Sequence, residues 1–264
     1  MKIVDCFLFY NETTMLEYRL ETLWDVVDYF VVVDSKYTFS GKPKNSYIHN
    51  VKNIEKYKSK IVYVLMNDCP YKIPNINYAK NQQWMNEYHQ RDGIIKGINN
   101  IKHLLSLDDC IIISDVDEIP DRETLKRIKN EEITIENGIQ SLEHDMYYYN
   151  LNHKLEDKWY SSKILTYRKF MDMYSKSMKY RYFIHFIRLN NCKPLERGGW
   201  HLSYFGDEHF IKNKIENFSH QELNTPENTN LENIRTKIKE TNISLEENSY
   251  LPYDYTQYFV SNII

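Results

Sequence analysis

Glycine is scarce in this chain: there are seven among 264 residues, and none falls into a Gly-x-Gly-x-x-Gly or Walker pattern. Phosphate cradles built from backbone N–H groups need glycines at fixed spacing. A nucleotide diphosphate bound here would need another neutraliser, and a divalent cation held by carboxylates is the common alternative. Cysteine is sparse too. Cys6, Cys69, Cys110 and Cys192 lie far apart with no Cys-x-x-Cys pair, and read as free thiols of a reducing compartment. The apolar runs at 6–9, 30–33 and 110–113 are far below the roughly 20 residues that span a bilayer. With no signal-peptide pattern at the N-terminus, the expected setting is cytoplasmic, without a membrane span. An excess of one charge is also missing. The 34 basic and 37 acidic residues give a net charge of −3, and the cations are dispersed, which argues against a nucleic-acid partner.

Aromatic residues are plentiful, with 23 Tyr, 11 Phe and 4 Trp. Exposed rings suit the flat faces of sugars, while a Tyr-rich core rim is the bland alternative. Along the chain, an apolar β-type run at 2–9 is followed by Asn11, Glu12 and a helical pattern that puts Leu16, Leu20 and Leu23 on one face. Strands are expected at 28–34 and 61–66, and helical spacing from 78 to 107, in one or two pieces. CIIIS at 110–114 is too short for a helix and too apolar for an edge, so it reads as a central strand. This alternation predicts an α/β fold on a mostly parallel sheet. A short helix is expected at 122–129, and Tyr-rich strand patterns at 138–151, 160–168 and 183–189 suggest antiparallel additions. The segment 198–205 is compact. After about 224 the sequence reads as polar helix and loop with little core of its own.

Two clusters carry chemistry. Asp115-Val116-Asp117-Glu118 follows directly on the central strand, where open α/β sheets place their ligands. Residues i and i+2 of an extended chain point the same way, so both carboxylates can face one Mg²⁺ or Mn²⁺ that bridges to a diphosphate. Elsewhere in so acidic a chain, Asp-x-Asp would read as a solvated turn. The same arrangement also admits a phosphohydrolase with an aspartate nucleophile. In Gly198-Gly199-Trp200-His201 the glycines permit close backbone approach. His201 is open to two readings, metal ligand or packing residue. Asn11, Glu12 and Asp34 follow the first two strands and are candidates for nucleoside contacts, with capping or turn roles as the alternative. Arg91 and Asp92 could reach a phosphate or the donor sugar, or form an exposed charge pair.

In combination, FLFYNE at 7–12, LEYRL at 16–20, DVVDYFVVVDS at 25–35, TFSGKPK at 38–44, QRD at 90–92, SDVDEIP at 114–120 and GGWHLSYF at 198–205 resemble glycosyltransferase family 17. The resemblance covers roughly residues 3–222 in the same order. It implies a GT-A fold, a UDP-sugar donor, a divalent cation (Mn²⁺ or Mg²⁺) at Asp115 and Asp117, and inversion at the anomeric carbon. By the same resemblance His201 belongs to the metal site, Asp115 also faces the diphosphate, and Asn11, Glu12 and Asp34 lie near the nucleoside. The expected organisation is one domain over 1–264, with a nucleotide-binding half at 1–120, an acceptor half at 121–222 and a polar tail at 223–264. Unlike the animal members, this chain shows no anchor or stem, so a Golgi setting and an N-glycan acceptor do not carry over.

A nucleoside diphosphate leaves well once neutralised, so a single carboxylate base on the acceptor hydroxyl suffices. Asp145 is the first candidate because Tyr147 and Tyr149 beside it could form an acceptor platform. Glu143, Asp207 and Glu222 follow, and surface acids are the alternative for each. The competing classes are the Asp-x-Asp phosphohydrolase and a non-catalytic carbohydrate-binding protein.

Overall fold

The computed structural model describes residues 1–177, 181–239 and 252. The chain begins with β1 (Ile3–Leu8), α1 (Thr13–Leu23), β2 (Tyr29–Ser35), α2 (Ile54–Tyr57), β3 (Ile61–Met66), α3 (Gln82–Arg91), α4 (Gly93–Ile101) and β4 (Cys110–Asp115). It continues with β5 (Glu118–Pro120), α5 (Arg122–Lys129), β6 (Ile139–Tyr148), β7 (Lys154–Trp159), β8 (Lys163–Thr166), α6 (Tyr167–Ser177), α7 (Phe183–Arg188), β9 (Pro194–Ser203), α8 (Glu208–Asn217) and α9 (Leu231–Lys239).

Among the described residues the strands form one sheet in the order β3-β2-β1-β4-β8-β6-β9-β5, with β7 paired to β6. The first four strands are parallel. β1 is buried along its whole length, as a central parallel strand covered on both faces should be. Its side chains alternate: Ile3 and Phe7 join Leu16, Leu20 and Leu23 of α1 on one face, while Val4, Cys6 and Leu8 pack with Ile94 and Ile98 of α4 on the other. β8 and β5 run antiparallel to their neighbours β4 and β9, whereas β9 runs parallel to β6. This is the expected α/β GT-A architecture, a Rossmann-like parallel half extended by a mixed half.

One expected strand is a helix. The residues 183–189 carry the composition of a strand, yet Phe183, Ile184 and Ile187 are buried together at helical spacing. Asp92 anchors the start of α7 by accepting from the backbone N–H groups of Tyr182 and Ile184 at 2.9 and 3.0 Å. Local β propensity yields here to a face that packs against the sheet. In the polar tail, Ile234 of α9 packs against Ile211 and Ile215 of α8; residues 240–251 and 253–264 lie outside the described residues. No helix among the described residues is long and apolar enough to cross a membrane.

α4 can lie close on the sheet because of Gly97, where a Cβ would sit 2.2 Å from Val31 Cγ1. Gly97→Ala is therefore expected to destabilise the fold by about 1–3 kcal/mol, the usual cost of overpacking, outweighing the alanine's better helix propensity. Urea unfolding at neutral pH checks this; an unchanged or raised midpoint would show that α4 can back off without loss.

Candidate active site

Because β1, β2 and β4 are parallel, their carboxyl ends open on one side of the sheet, and residues 9–12, 34–39 and 115–117 meet there. The Asp-x-Asp turn is held from below by Arg19. This fully buried guanidinium makes a bidentate pair with the equally buried Asp5, at 2.8 and 2.6 Å. It also donates to Ser114 Oγ and to the carbonyls of Asp115, Val116 and Glu118, at 2.6, 2.9, 3.2 and 2.7 Å. Arg19 lies over the Phe7 ring. Its fixed fork of donors thus sets the path of the loop that carries the carboxylates.

Glu118 is the second anchor. Its buried carboxylate accepts from the Asp115 backbone N–H at 2.8 Å, Ser162 Oγ at 2.5 Å, the Trp159 indole at 2.5 Å and both Arg188 amino groups at 2.8 Å. Burial alone would raise its pKa, but Arg188 more than offsets this and holds the carboxyl well below the usual range. Arg188 also donates to Asp115 Oδ2 at 3.0 Å, and Arg91 donates to Asp115 Oδ1 and Glu87, both at 2.6 Å. Asp117 accepts from Lys214 of α8 at 2.7 Å, and its Oδ1 lies 3.7 Å from His201 Nε2. Lys214, with His201 beside it, holds the Asp117 carboxyl below its ordinary value against the opposing effect of burial. His201 is placed by pairing of β9 with β5, opposite Glu118. That pairing requires Gly199, whose φ is +139° and where a Cβ would meet the Ile119 carbonyl at 2.0 Å.

These groups face a cavity of about 520 Å³. Glu12, Glu87, Asp115 and Asp117 line it together with Lys44, Arg91, Arg188 and Lys214. Trp84, Tyr148, Trp159, Tyr204 and Phe218 supply the aromatic part of the wall, the kind of surface that packs on sugar faces.

The sequence profile of glycosyltransferase family 17 matches residues 1–259. The chain belongs to this family. It is similar to the β-1,4-mannosyl-glycoprotein 4-β-N-acetylglucosaminyltransferase of Mus musculus, 28% identical over 132 residues, 48% of this chain and 23% of that protein. The Homo sapiens protein of the same name is 29% identical over 123 residues, 45% of this chain and 22% of that protein. The match therefore spans under a quarter of each relative's length. Among solved structures, 4-diphosphocytidyl-2C-methyl-D-erythritol synthase superposes with a TM-score of 0.41 at 11% identity, covering 75% of this chain and 92% of that one. S. aureus TarS 1–349 gives 0.40 at 14%, covering 92% and 74%. These likenesses are too loose to carry weight beside the topology itself.

For this family member, the structure brings Glu12, Arg91, Asp115, Asp117 and His201 to one cavity. It does not bring the expected base candidates there. Asp145 alternates along β6 with the cavity-lining Met146, and Lys154 and Lys158 of β7 take its carboxylate. Glu143, two residues before it, faces Lys158 and Tyr160. Asp207 caps α8 by accepting from the Phe210 N–H at 2.8 Å, and Glu222 pairs with His220 at 2.6 Å. Period-two alternation along β6 accounts for Asp145 and Glu143 and capping for Asp207, while Glu222 lies in a short turn at 221–223. Three expected ligand contacts also have local work instead: Asp92 anchors α7, Asp34 is fully buried and accepts from Lys44 and Tyr63, and Asn11 donates to Asn213. Arg188, Lys214, Glu87 and Trp159 reach the cavity without any signal in local sequence, whereas Lys44 closes the TFSGKPK string. Asp5 and Arg19 had one, because a charge inside an apolar strand or helix face demands a partner.

A cation was expected at Asp115, Asp117 and His201. Among the described residues no group of three or more His, Cys, Asp or Glu side chains is arranged to hold a metal by itself. The donor set fits the other mode, in which one or two carboxylates share the cation with substrate phosphates. Asp115 and Asp117 both face the cavity, and His201 Nε2 stands beside the Asp117 oxygen that Lys214 leaves free of a hydrogen bond.

Beneath this floor, His144 of β6 is fully buried and both its ring nitrogens lack hydrogen-bond partners. Burial pulls its pKa down to about 3, although Glu118 opposes this. The folded protein thus keeps the ring neutral while the unfolded chain protonates it near its ordinary value. The resulting stability is complete above about pH 6.5 and declines as pH falls toward 3. Between pH 6.5 and 5 this one residue should remove about 2 kcal/mol, at about 1.4 kcal/mol per pH unit. Urea unfolding of the wild type and His144→Leu at pH 7 and pH 5 reads the difference. Equal losses in the two proteins would mean that His144 titrates normally when folded.

Proposed function

We propose that this protein transfers N-acetylglucosamine from UDP-N-acetylglucosamine to a carbohydrate acceptor, with inversion at the anomeric carbon and with Mn²⁺ or Mg²⁺ at the Asp-x-Asp. The observation that carries this reading is the placement of Asp115 and Asp117 at the carboxyl end of a central parallel strand, in an aromatic-lined cavity ringed by Arg91, Arg188 and Lys214. The names of the similar proteins support the choice of sugar. A phosphohydrolase is disfavoured because the chain belongs to a glycosyltransferase family.

In this reading Asp115, Asp117 and His201 would hold the cation, which would offset the charge of the departing diphosphate. Arg91 and Arg188 fix the orientation of the Asp115 carboxylate, and Glu118 fixes Arg188. The tryptophan and tyrosine rings exclude water and stack on the sugars. Beyond the Asp-x-Asp, the carboxylates that line the cavity among the described residues are Glu12 and Glu87. Burial raises the pKa of Glu12 against the influence of Lys214, whereas Arg91 draws down that of Glu87 against the effect of burial. A base needs proton affinity near the working pH, which favours Glu12 to take the acceptor proton on its carboxylate.

UDP-N-acetylglucosamine with Mn²⁺ is expected to raise the melting temperature, since a ligand of the folded state stabilises it. Asp117→Asn should abolish the metal-dependent part of the shift. A metal-dependent shift that survives in the variant would remove the Asp-x-Asp from the site. Stabilisation by sugars alone would favour a carbohydrate-binding module, and cleavage of phosphomonoesters the hydrolase.

The base is read by kinetics. Glu12→Gln should bind donor nearly normally and lose kcat by about 10²-fold or more, as expected for a proton-transfer group. Asp145→Asn should turn over at close to the wild-type rate. The reverse pattern would return the role to β6.

A further inference from the structure

Three cations stand on the Asp-x-Asp carboxylates, and they are not equivalent. Arg188 is tied to Glu118 through both amino groups, and Arg91 to Glu87, so each has a second carboxylate that keeps it in place when Asp115 takes another partner. Lys214 is different. Its one salt bridge among the described residues is to Asp117, with the Tyr204 ring 5.4 Å from its ammonium. It projects into the cavity from α8, which is fastened to the nucleotide side of the site. Asn213 accepts from Asn11 at 3.0 Å, the Asn217 carbonyl accepts from the Ser40 N–H at 3.3 Å, and the Glu216 carbonyl accepts from Lys42 at 3.2 Å. The helix therefore places a point charge, on a stem of four rotatable carbons, between the Asp117 carboxylate and the cavity where a diphosphate would lie.

We propose that Lys214 is an exchangeable counter-cation of this site. It neutralises Asp117 when the site is empty, competes with the divalent cation for that carboxylate, and turns to the diphosphate oxygens when the nucleotide enters, with or without the cation. This rests on the donor reading given above. The physical reason is charge balance. Asp117 with neighbouring Glu12 would leave two carboxylates facing each other in a poorly solvated cavity, and like charges so placed are costly without a cation between them. Once a divalent ion takes that place, the ammonium is displaced into reach of a doubly charged phosphate chain. Lysine, a compact charge on a flexible stem, suits this exchange. Two consequences follow that a purely structural lysine would not show. Removing the ammonium makes Mn²⁺ bind more tightly in the absence of nucleotide, because a competitor is gone. It also makes UDP bind more weakly in the absence of metal, because a phosphate partner is gone.

The test uses the full chain and three variants, Lys214→Met, Lys214→Arg and Asp117→Asn, each checked for a cooperative melting transition. Calorimetric titrations measure Mn²⁺ without nucleotide, UDP in EDTA, UDP with saturating Mn²⁺, and uridine. For Lys214→Met the expected results are a several-fold gain in Mn²⁺ affinity, a loss of about tenfold or more in UDP affinity in EDTA, and no change for uridine, which lacks phosphate. Lys214→Arg should retain most of the UDP affinity in EDTA. Asp117→Asn should lose the manganese-dependent gain but bind UDP in EDTA at least as tightly as the wild type, since its Lys214 is released. Unchanged Mn²⁺ affinity together with unchanged metal-free UDP affinity in Lys214→Met overturns the exchange, as does an equal loss for UDP and uridine, which would indicate damage to the fold. If the wild type binds UDP under neither condition, the donor reading fails and the inference falls with it.

Discussion

The buried pair of Arg19 and Asp5 is the constraint on which the site depends. Both groups are removed from water in the middle of the sheet, where an unpaired charge costs several kcal/mol. A bidentate bond satisfies the aspartate, and the remaining guanidinium donors are spent on the carbonyls of the Asp-x-Asp turn. One helix, one strand and one loop are thereby locked in a single register. The cost of burying the charges is offset only if the loop takes this path, so the interaction specifies geometry more than it adds stability.

Built on that floor is a second polar network in which Glu118 and Arg188 support Asp115 from behind. The Asp-x-Asp is thus two carboxylates with different neighbours. Asp115 is held on both oxygens by guanidinium groups that have other anchors, while Asp117 is held by an ammonium that has none among the described residues. A member held on both oxygens beside one held by a single ammonium suits the proposed binding of a cation and a diphosphate, because preorganisation on one side limits the reorganisation required on the other.

The parallel half of the fold was readable at nearly residue level. Strands at 61–66 and a helix at 122–129 stand where periodicity puts them, because buried parallel strands and amphipathic helices write their pattern locally. The segment 183–189 was not readable. Its Phe and Ile content favours a strand, and only the sheet face it covers and the capping by Asp92 make it helical. The position of Asp145 was not readable for a related reason. Its chemistry and its tyrosine neighbours were visible, but the face of β6 on which it lands follows from the register with β7 and β9, and one step along a strand reverses the side.

The sequence by itself determined the α/β class, the central strand, the place of Asp115 and Asp117 at its carboxyl end, and the need for glycine before Trp200. These are properties of adjacent residues, since period, burial and backbone freedom act over a few positions. Tertiary structure alone decided which charges surround the carboxylates. Arg19, Lys214 and Arg188 reach them from segments about 70 to 100 residues away, and electrostatic partners are chosen by distance in space and by exclusion of water, neither of which is recorded in the spacing of residues along a chain.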